Sequence, residues 1–342
     1  MATVSRVLRG GPDVRAATRA RVLDTISALD YRPSPLARAL VSGRSRLLTL
    51  LVNDIANPFY PQLAKSVESA AKKEGYSVAI CSTGDSTTET RRCIERLLTQ
   101  GVDGVIHASV ARDDEVLLSL IGDPARVVFT NRRPDRQDVS YVVSDNRAGA
   151  VHLTGHLLSL GHRRIGFIAG PPFASNAVER LDGFRDTMAT VADGEPLLAY
   201  GDFSEESGSR AVLEWVRGGH PPTAVVAVND ASAFGALEAL THSGLRVPDD
   251  VAVAGFDGTH LSASPHISLT TVDQHIPQLA RRAVQILLQQ LRAPRDFRPV
   301  HEILTTELIV RRTTLSQRRS DDARSRHASV RAFDRGREAE RG

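Results

Sequence analysis

Short apolar runs alternate with amphipathic segments from about residue 47 onward. The runs are continuous and rich in Val and Ile, which is typical of strands buried on both faces of a parallel sheet. The predicted strands are 47–52, 76–81, 104–108, 127–130, 165–169, 224–228 and 251–255. The predicted helices between them are 61–73, 88–99, 148–160, 179–188, 205–216 and 231–243. This alternation predicts an α/β fold with doubly wound sheets, and the number of strands indicates two of them.

Polar residues follow several of the predicted strands directly. In open α/β sheets a ligand binds outside the carboxyl ends of the strands, where such loops converge. We therefore expect a binding site at this edge of the sheets. The residues concerned are Asn53, Asp54, Asn131, Arg132, Asn229, Asp230 and Asp257.

The first 46 residues have a different, helical pattern. Residues 3–8 and 16–29 are each predicted to form a helix, and the second has a stripe of apolar residues on one face. A proline-containing break precedes a short helical run at 36–41. At the other end, residues 316–342 have few apolar and many charged residues, which predicts a disordered tail.

Charge is unevenly distributed along a chain whose formal net charge is only +3. Residues 1–46 carry +6 and residues 316–342 carry +3, which leaves −6 on the body between them. An acidic body with a basic head fits a protein that contacts a polyanion with one end. A generally arginine-rich genome would explain the same charge, so this feature alone leaves both explanations open.

The cysteine count and the hydropathy pattern narrow the class of protein. The chain has two cysteines, Cys81 and Cys93, and no CxxC motif, which argues against a disulfide framework and a cysteine-rich zinc site and fits a reducing cytosol. No apolar run approaches the roughly 18 residues of a membrane span. The N-terminus has no long apolar segment typical of a secretory signal, so we expect a cytoplasmic protein.

Several motifs, in order, resemble those of the LacI/GalR family of bacterial repressors. The resemblance extends from residue 3 to about 315. It implies a two-lobed periplasmic-binding-protein-like core, made of two doubly wound parallel sheets, behind a partial all-α helix-turn-helix head. The motifs are TVSRVL at 3–8, YRPSPLARAL at 31–40, NPFY at 57–60, GHRRIGFIAGP at 162–171, ERLDGF at 179–184, GDFSEESG at 201–208, VNDASAFGALEAL at 228–240, GLRVPDDVAVAGFDGT at 244–259 and LTTVDQ at 269–274.

The resemblance also implies a division into domains. We expect a partial head at 1–33, a hinge helix and linker at 34–45, an effector-binding core at 46–315 and the tail at 316–342. Within the core, the expected N-lobe comprises about 46–157 and 273–303. The expected C-lobe comprises about 158–272 and 304–315.

In this family TVSRVL forms the recognition helix, which lies in the major groove. The resemblance therefore implies that Ala2, Thr3, Ser5 and Arg6 face DNA, with Arg6 able to bond a phosphate or a guanine through its forked donors. The run 36–41 resembles the hinge helix that enters the minor groove. Leu40 matches its apolar wedge, with Ala37 and Arg38 beside it.

The head departs from the family pattern in one respect. A complete head has a further helix and turn before TVSRVL, about 15 residues. One interpretation is that Met1 is an internal methionine taken for a start. The other is a genuine truncation, which would give a DNA-free cytosolic sugar sensor.

The resemblance places an effector pocket in the cleft between the lobes. Carboxylates and amides suit a polyhydroxylated ligand, an arginine can bond a ring or glycosidic oxygen, and aromatic faces stack on C–H surfaces. A sugar is the expected effector, although a purine could use the same stacking residue. The effector-binding residues implied are Phe59, Tyr60, Asp145, Asn176, Arg180, Phe203, Asn229 and Asp257.

The sequence gives no support for an enzyme, a metal site or a cofactor. His152 and His156 have the spacing of a zinc helix, but the Glu of HExxH is missing. No Walker P-loop, nucleophile elbow or GxGxxG turn after the first strand occurs.

The resemblance implies a homodimer on a pseudo-palindromic operator, in which effector binding shifts the population of two states. A solute-binding protein with the same core is the alternative from another class. It would need a signal peptide and leaves TVSRVL unexplained.

Overall fold

The computed structural model describes residues 4, 6–7, 14–29, 44–114, 119 and 122–315. The chain forms two units, Met1–Arg46 and Leu47–Gly342. In the first unit, helix α1 spans Ala16–Ala28, as the apolar pattern predicted. The predicted helical run 36–41 and the predicted tail lie outside the described residues.

The N-lobe of the second unit is built on a six-stranded parallel sheet. Its order is β11-β5-β4-β3-β1-β2, so the strands are not paired in chain order. The strands are β1 (Leu47–Val52), β2 (Ser77–Ser82), β3 (Gly104–His107), β4 (Val127–Thr130), β5 (Ser140–Ser144) and β11 (His301–Leu304).

Helices cover both faces of this sheet, and the side chains of β1 point alternately to the two faces. Leu48 and Leu50 pack with the first helix layer, whereas Leu51 packs with the second. The first layer contains α2 (Phe59–Lys73) and α8 (Ile276–Arg292), and the second contains α3 (Thr87–Thr99). Burial on both faces explains why every residue of β1 except Thr49 is apolar.

The C-lobe repeats this plan on a second six-stranded sheet, of order β12-β10-β9-β8-β6-β7. All pairs are parallel except β10 with β12. The strands are β6 (Arg164–Ala169), β7 (Glu195–Tyr200), β8 (Ala224–Ala227), β9 (Ala252–Asp257), β10 (Thr270–Asp273) and β12 (Glu307–Ile309). The helices are α4 (Asn146–Ser159), α5 (Ser175–Met188), α6 (Glu205–Arg217) and α7 (Asp230–His242).

The two faces of the second sheet have separate cores. Phe167 of β6 packs with residues of α4 and α5, whereas its neighbour Ile168 packs with residues of α6 and α7. The predicted fold class, two doubly wound and mainly parallel sheets, is therefore confirmed.

Three segments carry the chain between the lobes. They join β5 to α4, β10 to α8, and β11 to β12. The first crossing lies earlier than the expected boundary at about 157, because Leu153 and Leu157 of α4 are buried in the C-lobe core.

Two further features of the fold concern the pairing of the two cysteines and the character of the helices. Cys81 of β2 and Cys93 of α3 form a disulfide, contrary to the expectation from the cysteine count, which argued against a disulfide framework and fitted a reducing cytosol. The spacing was uninformative because the strand and the helix that bring the two sulfurs together meet only in the folded lobe. Within the described ranges, no helix is both long and apolar enough to cross a membrane.

Candidate functional site

The lobes face each other across a cleft at the carboxyl ends of their strands. Asn131 and Arg132 follow β4 in the N-lobe, Asn229 follows β8 in the C-lobe, and Asp257 is the last residue of β9. All four are buried. The edge predicted from the polar residues after the strands is therefore the place where the lobes meet.

Arg180 of α5 is the cation of the C-lobe side and is only 1% exposed. Its Nε donates to Asn146 Oδ1 at 3.0 Å, and one terminal nitrogen donates to the Val228 carbonyl at 2.7 Å. The guanidinium carbon lies 3.8 Å from the centre of the Phe256 ring. Burial lowers the pKa of Arg180 to about 10, although nearby Asp257 opposes the shift. The side chain is thus a fixed, charged donor.

Asp257 lies beside that guanidinium, with its Oδ1 3.6 Å from Arg180 Nη1. The same oxygen accepts a hydrogen bond from Gln274 Nε2 at 2.7 Å. Burial raises the pKa of Asp257 to about 8, while Arg180 pulls it down. Near neutral pH this carboxyl can therefore hold a proton and can both donate and accept hydrogen bonds.

Asp230 has a structural role behind the cleft. It is fully buried and accepts hydrogen bonds from the amide and hydroxyl of Thr259, at 2.9 and 2.8 Å, and from the Thr271 hydroxyl at 2.5 Å. Burial raises its pKa. These bonds join the start of α7 to the loop after β9 and to β10, which fixes the loop that follows Asp257.

Asn229 caps α7 and positions an aromatic residue. Its Oδ1 accepts the Ser232 amide at 3.0 Å, and its Nδ2 donates to the Phe203 carbonyl at 3.0 Å. Phe203 has a left-handed backbone, with φ +71°, and its ring packs with Ala174, Ala177 and Val228. The amide of Asn229 is thus engaged within the protein, and its structural role is to hold Phe203.

The N-lobe contributes Phe59 and Tyr60, which begin α2 with their rings edge-on at 5.3 Å. Both are buried, and burial raises the pKa of Tyr60 to about 12. The charges of Arg132 in its own lobe and of Arg180 in the other lobe lower the pKa of Tyr60, whereas the charge of Asp257 raises it. The side chains predicted from both lobes are therefore close together.

Asn176 joins the lobes. Its Nδ2 donates to Asn131 Oδ1 at 3.2 Å, from the start of α5 to the loop after β4. Nearby, the Arg133 amide donates to the Ser175 hydroxyl at 2.9 Å, and its guanidinium pairs with Glu179 at 2.8 Å. The cleft is closed at this side by hydrogen bonds between the lobes.

Asp145 lies at the crossing between β5 and α4 and is half-buried. Its Oδ1 caps α4 by accepting the Ala148 amide at 3.0 Å. The first crossing segment is thus held by the same carboxylate that the sequence placed in the pocket.

Sequence reasoning did not include Arg132 and Gln274 among the effector-binding residues. Arg132 was noted only as a polar residue after a strand, and that signal is the one that could have identified it. Gln274 has a buried Oε1 with no hydrogen-bond partner among the described residues. It immediately follows β10, so the same rule applied to a missed strand would have found it.

Of the residues predicted to contact DNA, the structure describes only Arg6, whose side chain is exposed. The others lie outside the described residues; they are Ala2, Thr3, Ser5, Ala37, Arg38 and Leu40. His152 and His156 lie on α4, and His156 contacts the Thr314 hydroxyl at 3.0 Å. Where side chains are described, no group of three or more potential ligands could hold a metal ion.

Comparison with known proteins agrees with the fold and the cleft. Residues 1–34 match the family described as "Bacterial regulatory proteins, lacI family", and residues 154–314 match the "Periplasmic binding protein-like domain". The transcriptional regulator CelR of Thermobifida fusca is 36% identical over 319 residues, which are 90% of this chain and 93% of that protein.

Two solved structures show the same relationship. A CelR–cellobiose complex is 33% identical with a TM-score of 0.71, over 90% of this chain and 94% of that chain. The lac repressor dimer bound to its operator and an anti-inducer is 28% identical with a TM-score of 0.81, over 92% and 95%. The fold and cleft thus define a bacterial regulatory protein with a periplasmic-binding-protein-like core. The chain belongs to the LacI family of these regulators.

Proposed function

We propose that the chain is a DNA-binding transcriptional repressor whose affinity for its operator is controlled by a sugar bound between the lobes. The observation that carries the proposal is the buried pair of Arg180 and Asp257 at the meeting of the lobes. One Arg180 terminal nitrogen, Nη2, has no partner among the residues described, although it is buried. An unpaired buried donor is costly, so this atom calls for an acceptor from a ligand or water.

The surrounding chemistry suits a sugar. Arg180 can donate to a hydroxyl, ring or glycosidic oxygen, and Asp257 can accept from and donate to a hydroxyl. Phe203 offers an aromatic surface of the kind on which sugar C–H groups stack. The related CelR was solved with cellobiose, which supports a carbohydrate over a purine.

The architecture supports regulation by a population shift. Three chain crossings connect the lobes, so a ligand that contacts both can favour one relative position of the two. It can do so only through its different affinity for the two states. We propose a homodimer on a pseudo-palindromic site, as in the lac repressor dimer bound to operator. Arg6 is then a DNA contact, with Ala2, Thr3, Ser5, Ala37, Arg38 and Leu40.

Family membership favours this proposal over its alternatives. The relatives are transcriptional regulators, whereas a solute-binding protein or an enzyme would have no use for the matched DNA-binding segment. We place the protein in the cytoplasm, where the operator is, and assign it no catalytic activity, metal or cofactor. A DNA-binding assay tests this assignment.

Replacing the central cation tests the pocket. We expect Arg180→Ala to lower affinity for the bound sugar at least a hundredfold, because a hydrogen bond to a charged donor is lost and Asp257 loses its partner. Isothermal titration calorimetry with cellobiose, D-galactose and D-ribose measures this. Asp257→Asn, which keeps the shape of the side chain, should also weaken sugar binding. It tests the pocket even if Arg180→Ala fails to fold.

The matched control is Arg246→Ala, an exposed arginine of the same lobe that pairs with Asp250. It should bind sugar like the wild type. Equal affinity in the wild type, Arg180→Ala and Asp257→Asn would place the pocket elsewhere.

A further inference from the structure

Glu179 of α5 lies directly before Arg180, and its two carboxylate oxygens have different partners. Oε1 accepts a hydrogen bond from Arg133 Nη2 of the N-lobe at 2.8 Å, and Oε2 accepts one from Asn146 Nδ2 at 2.9 Å. Asn146 is the first residue of α4 and follows the first crossing between the lobes. This carboxylate therefore joins the N-lobe to the C-lobe end of that crossing.

Asn146 in turn orients Arg180. It is 2% exposed, its Nδ2 donates to the Ser144 carbonyl at 3.1 Å as well as to Glu179, and its Oδ1 accepts from Arg180 Nε at 3.0 Å. An amide donates on one side and accepts on the other, so the two acceptors fix the way this amide faces. With the amide reversed, its NH₂ group would meet the Nε–H donor of Arg180. Glu179 thus helps to present the oxygen that holds Arg180.

The N-lobe holds Arg133 within reach of Glu179. The guanidinium carbon of Arg133 lies 5.7 Å from the centre of the Tyr141 ring of β5. That ring stacks on His301 of β11, with 4.5 Å between the ring centres. The Arg133 amide also donates to the Ser175 hydroxyl at the start of α5, at 2.9 Å. The cation is therefore positioned by its own lobe, and its anionic partner belongs to the other.

The ion pair between Arg133 and Glu179 requires that the lobes are together. Because the two residues belong to different lobes, opening the cleft would separate their charges. Their side chains are 29% and 25% exposed, so the pair contributes modestly, and only to the closed state. A sugar that binds the closed cleft binds more tightly when this state is more populated.

We infer that Glu179 is a positioning residue of the effector site, which holds the lobes together through Arg133 and orients Arg180 through Asn146. The inference rests on the proposed function and adds to it the side chain that prepares Arg180 for the sugar. A carboxylate suits this role because it accepts hydrogen bonds at both oxygens, whereas an amide at the same position accepts at one atom only. Closure of the cleft and orientation of Arg180 are thereby coupled in one side chain.

The experiment measures sugar affinity by calorimetry with cellobiose, D-galactose and D-ribose. Glu179→Ala removes both links, Glu179→Gln keeps an acceptor for one of them, and Arg133→Met removes only the link between the lobes. Arg133→Lys keeps the charge and tests whether the ion pair is what matters. The control is Arg292→Met, which removes the cation of an exposed ion pair within the N-lobe. Thermal melting of each variant checks its fold.

We expect Glu179→Ala to bind the preferred sugar about tenfold more weakly or worse, because the closed state loses its ion pair and the acceptor of Arg180 is no longer oriented. Arg133→Met and Glu179→Gln should each weaken binding about threefold, the effect of one partly exposed ion pair. The double variant Arg133→Met/Glu179→Gln should also be about threefold weaker, since both changes break the same link. Arg133→Lys and Arg292→Met should bind like the wild type.

A folded Glu179→Ala variant with wild-type affinity overturns this inference alone. A double variant weaker by the product of the two single effects also overturns it, as does an Arg133→Lys variant as weak as Arg133→Met. If Glu179→Ala does not fold, the double variant and Arg133→Lys still decide the question. A wild type that binds none of the three sugars contradicts the proposed function and removes this inference with it.

Discussion

The raised pKa of Asp257 predicts a dependence of stability on pH. A carboxyl whose folded-state pKa is about 8 holds a proton that the unfolded chain releases near pH 4. The folded state therefore binds more protons between these values, and stability falls as pH rises through this window. One such group contributes at most about 1.4 kcal/mol per pH unit.

Chemical denaturation at pH 5 and pH 7.5 measures this effect. The wild type should lose more stability over the interval than Asp257→Asn, which has no proton to release at this position. Asp230, whose pKa is also raised, stays in both proteins and contributes the same slope to each. Identical pH dependence in the two would show that Asp257 is ionised in the folded protein.

Individual residues of the site could be predicted to different extents. Asp257 and Arg180 were predicted from motifs, and the structure places them 3.6 Å apart at the cleft. Asn229 was predicted as well, but its amide caps α7 and holds Phe203. The sequence could not show this division of roles, because a polar residue after a strand can face the ligand or the backbone. Arg132 was not predicted as a site residue, and its partner Asp85, whose Oδ1 accepts from Arg132 Nη1, is 47 residues away in the sequence.

At the scale of elements, the apolar pattern predicted most of the strands that are buried on both faces. It missed β5, which is also buried along its whole length, because the apolar run there is only residues 141–143. Strand β1 agrees with its predicted bounds, and β4 does as well. Strand β7 was also missed; it lies at the edge of its sheet and has exposed residues. Helix α8 was also missed, although its apolar spacing is clear. Strand β10 was missed because it is short and rich in Thr, so no apolar run marks it in the sequence.

The close packing of α6 against α7 depends on two glycines. A Cβ on Gly235 would lie 1.8 Å from the Glu205 carbonyl oxygen, and one on Gly208 would lie 2.0 Å from that of Ser232. The backbones of the two helices therefore touch. Since α6 follows Phe203 and α7 follows Asn229, this contact also sets the position of the stacking residue.

We expect Gly235→Ala to destabilise the fold by about 1–3 kcal/mol, because the helices must move apart. It should also weaken sugar binding through displacement of Phe203. The control is Gly155→Ala in α4, where an added Cβ meets nothing within 4 Å. That change should stabilise by about 0.5–1 kcal/mol, since alanine favours helix over glycine. Equal melting temperatures in the two variants would contradict the close helix contact.

At the scale of the whole molecule, the predicted two-lobed core is present with three crossings between the lobes. The sequence placed the first crossing too late because the motifs mark binding residues, whereas the boundary depends on which sheet α4 covers. Residues 1–34 match the lacI family of regulatory proteins, and the relative CelR is a transcriptional regulator, so both indicate binding to DNA. The central claim is that a sugar in the cleft changes the affinity of the chain for DNA.

The most direct test begins by selecting, from a random library, a DNA duplex that binds the full chain. The fluorescence anisotropy of this labelled duplex is then measured with the protein, with and without a bound sugar. We predict a 5- to 150-fold change in DNA affinity on adding the sugar, the usual range of coupling between two sites. Asp257→Asn should keep the affinity seen without sugar and lose the response. Sugar binding that leaves DNA affinity unchanged, or a chain that binds sugar but retains no duplex, would contradict the account.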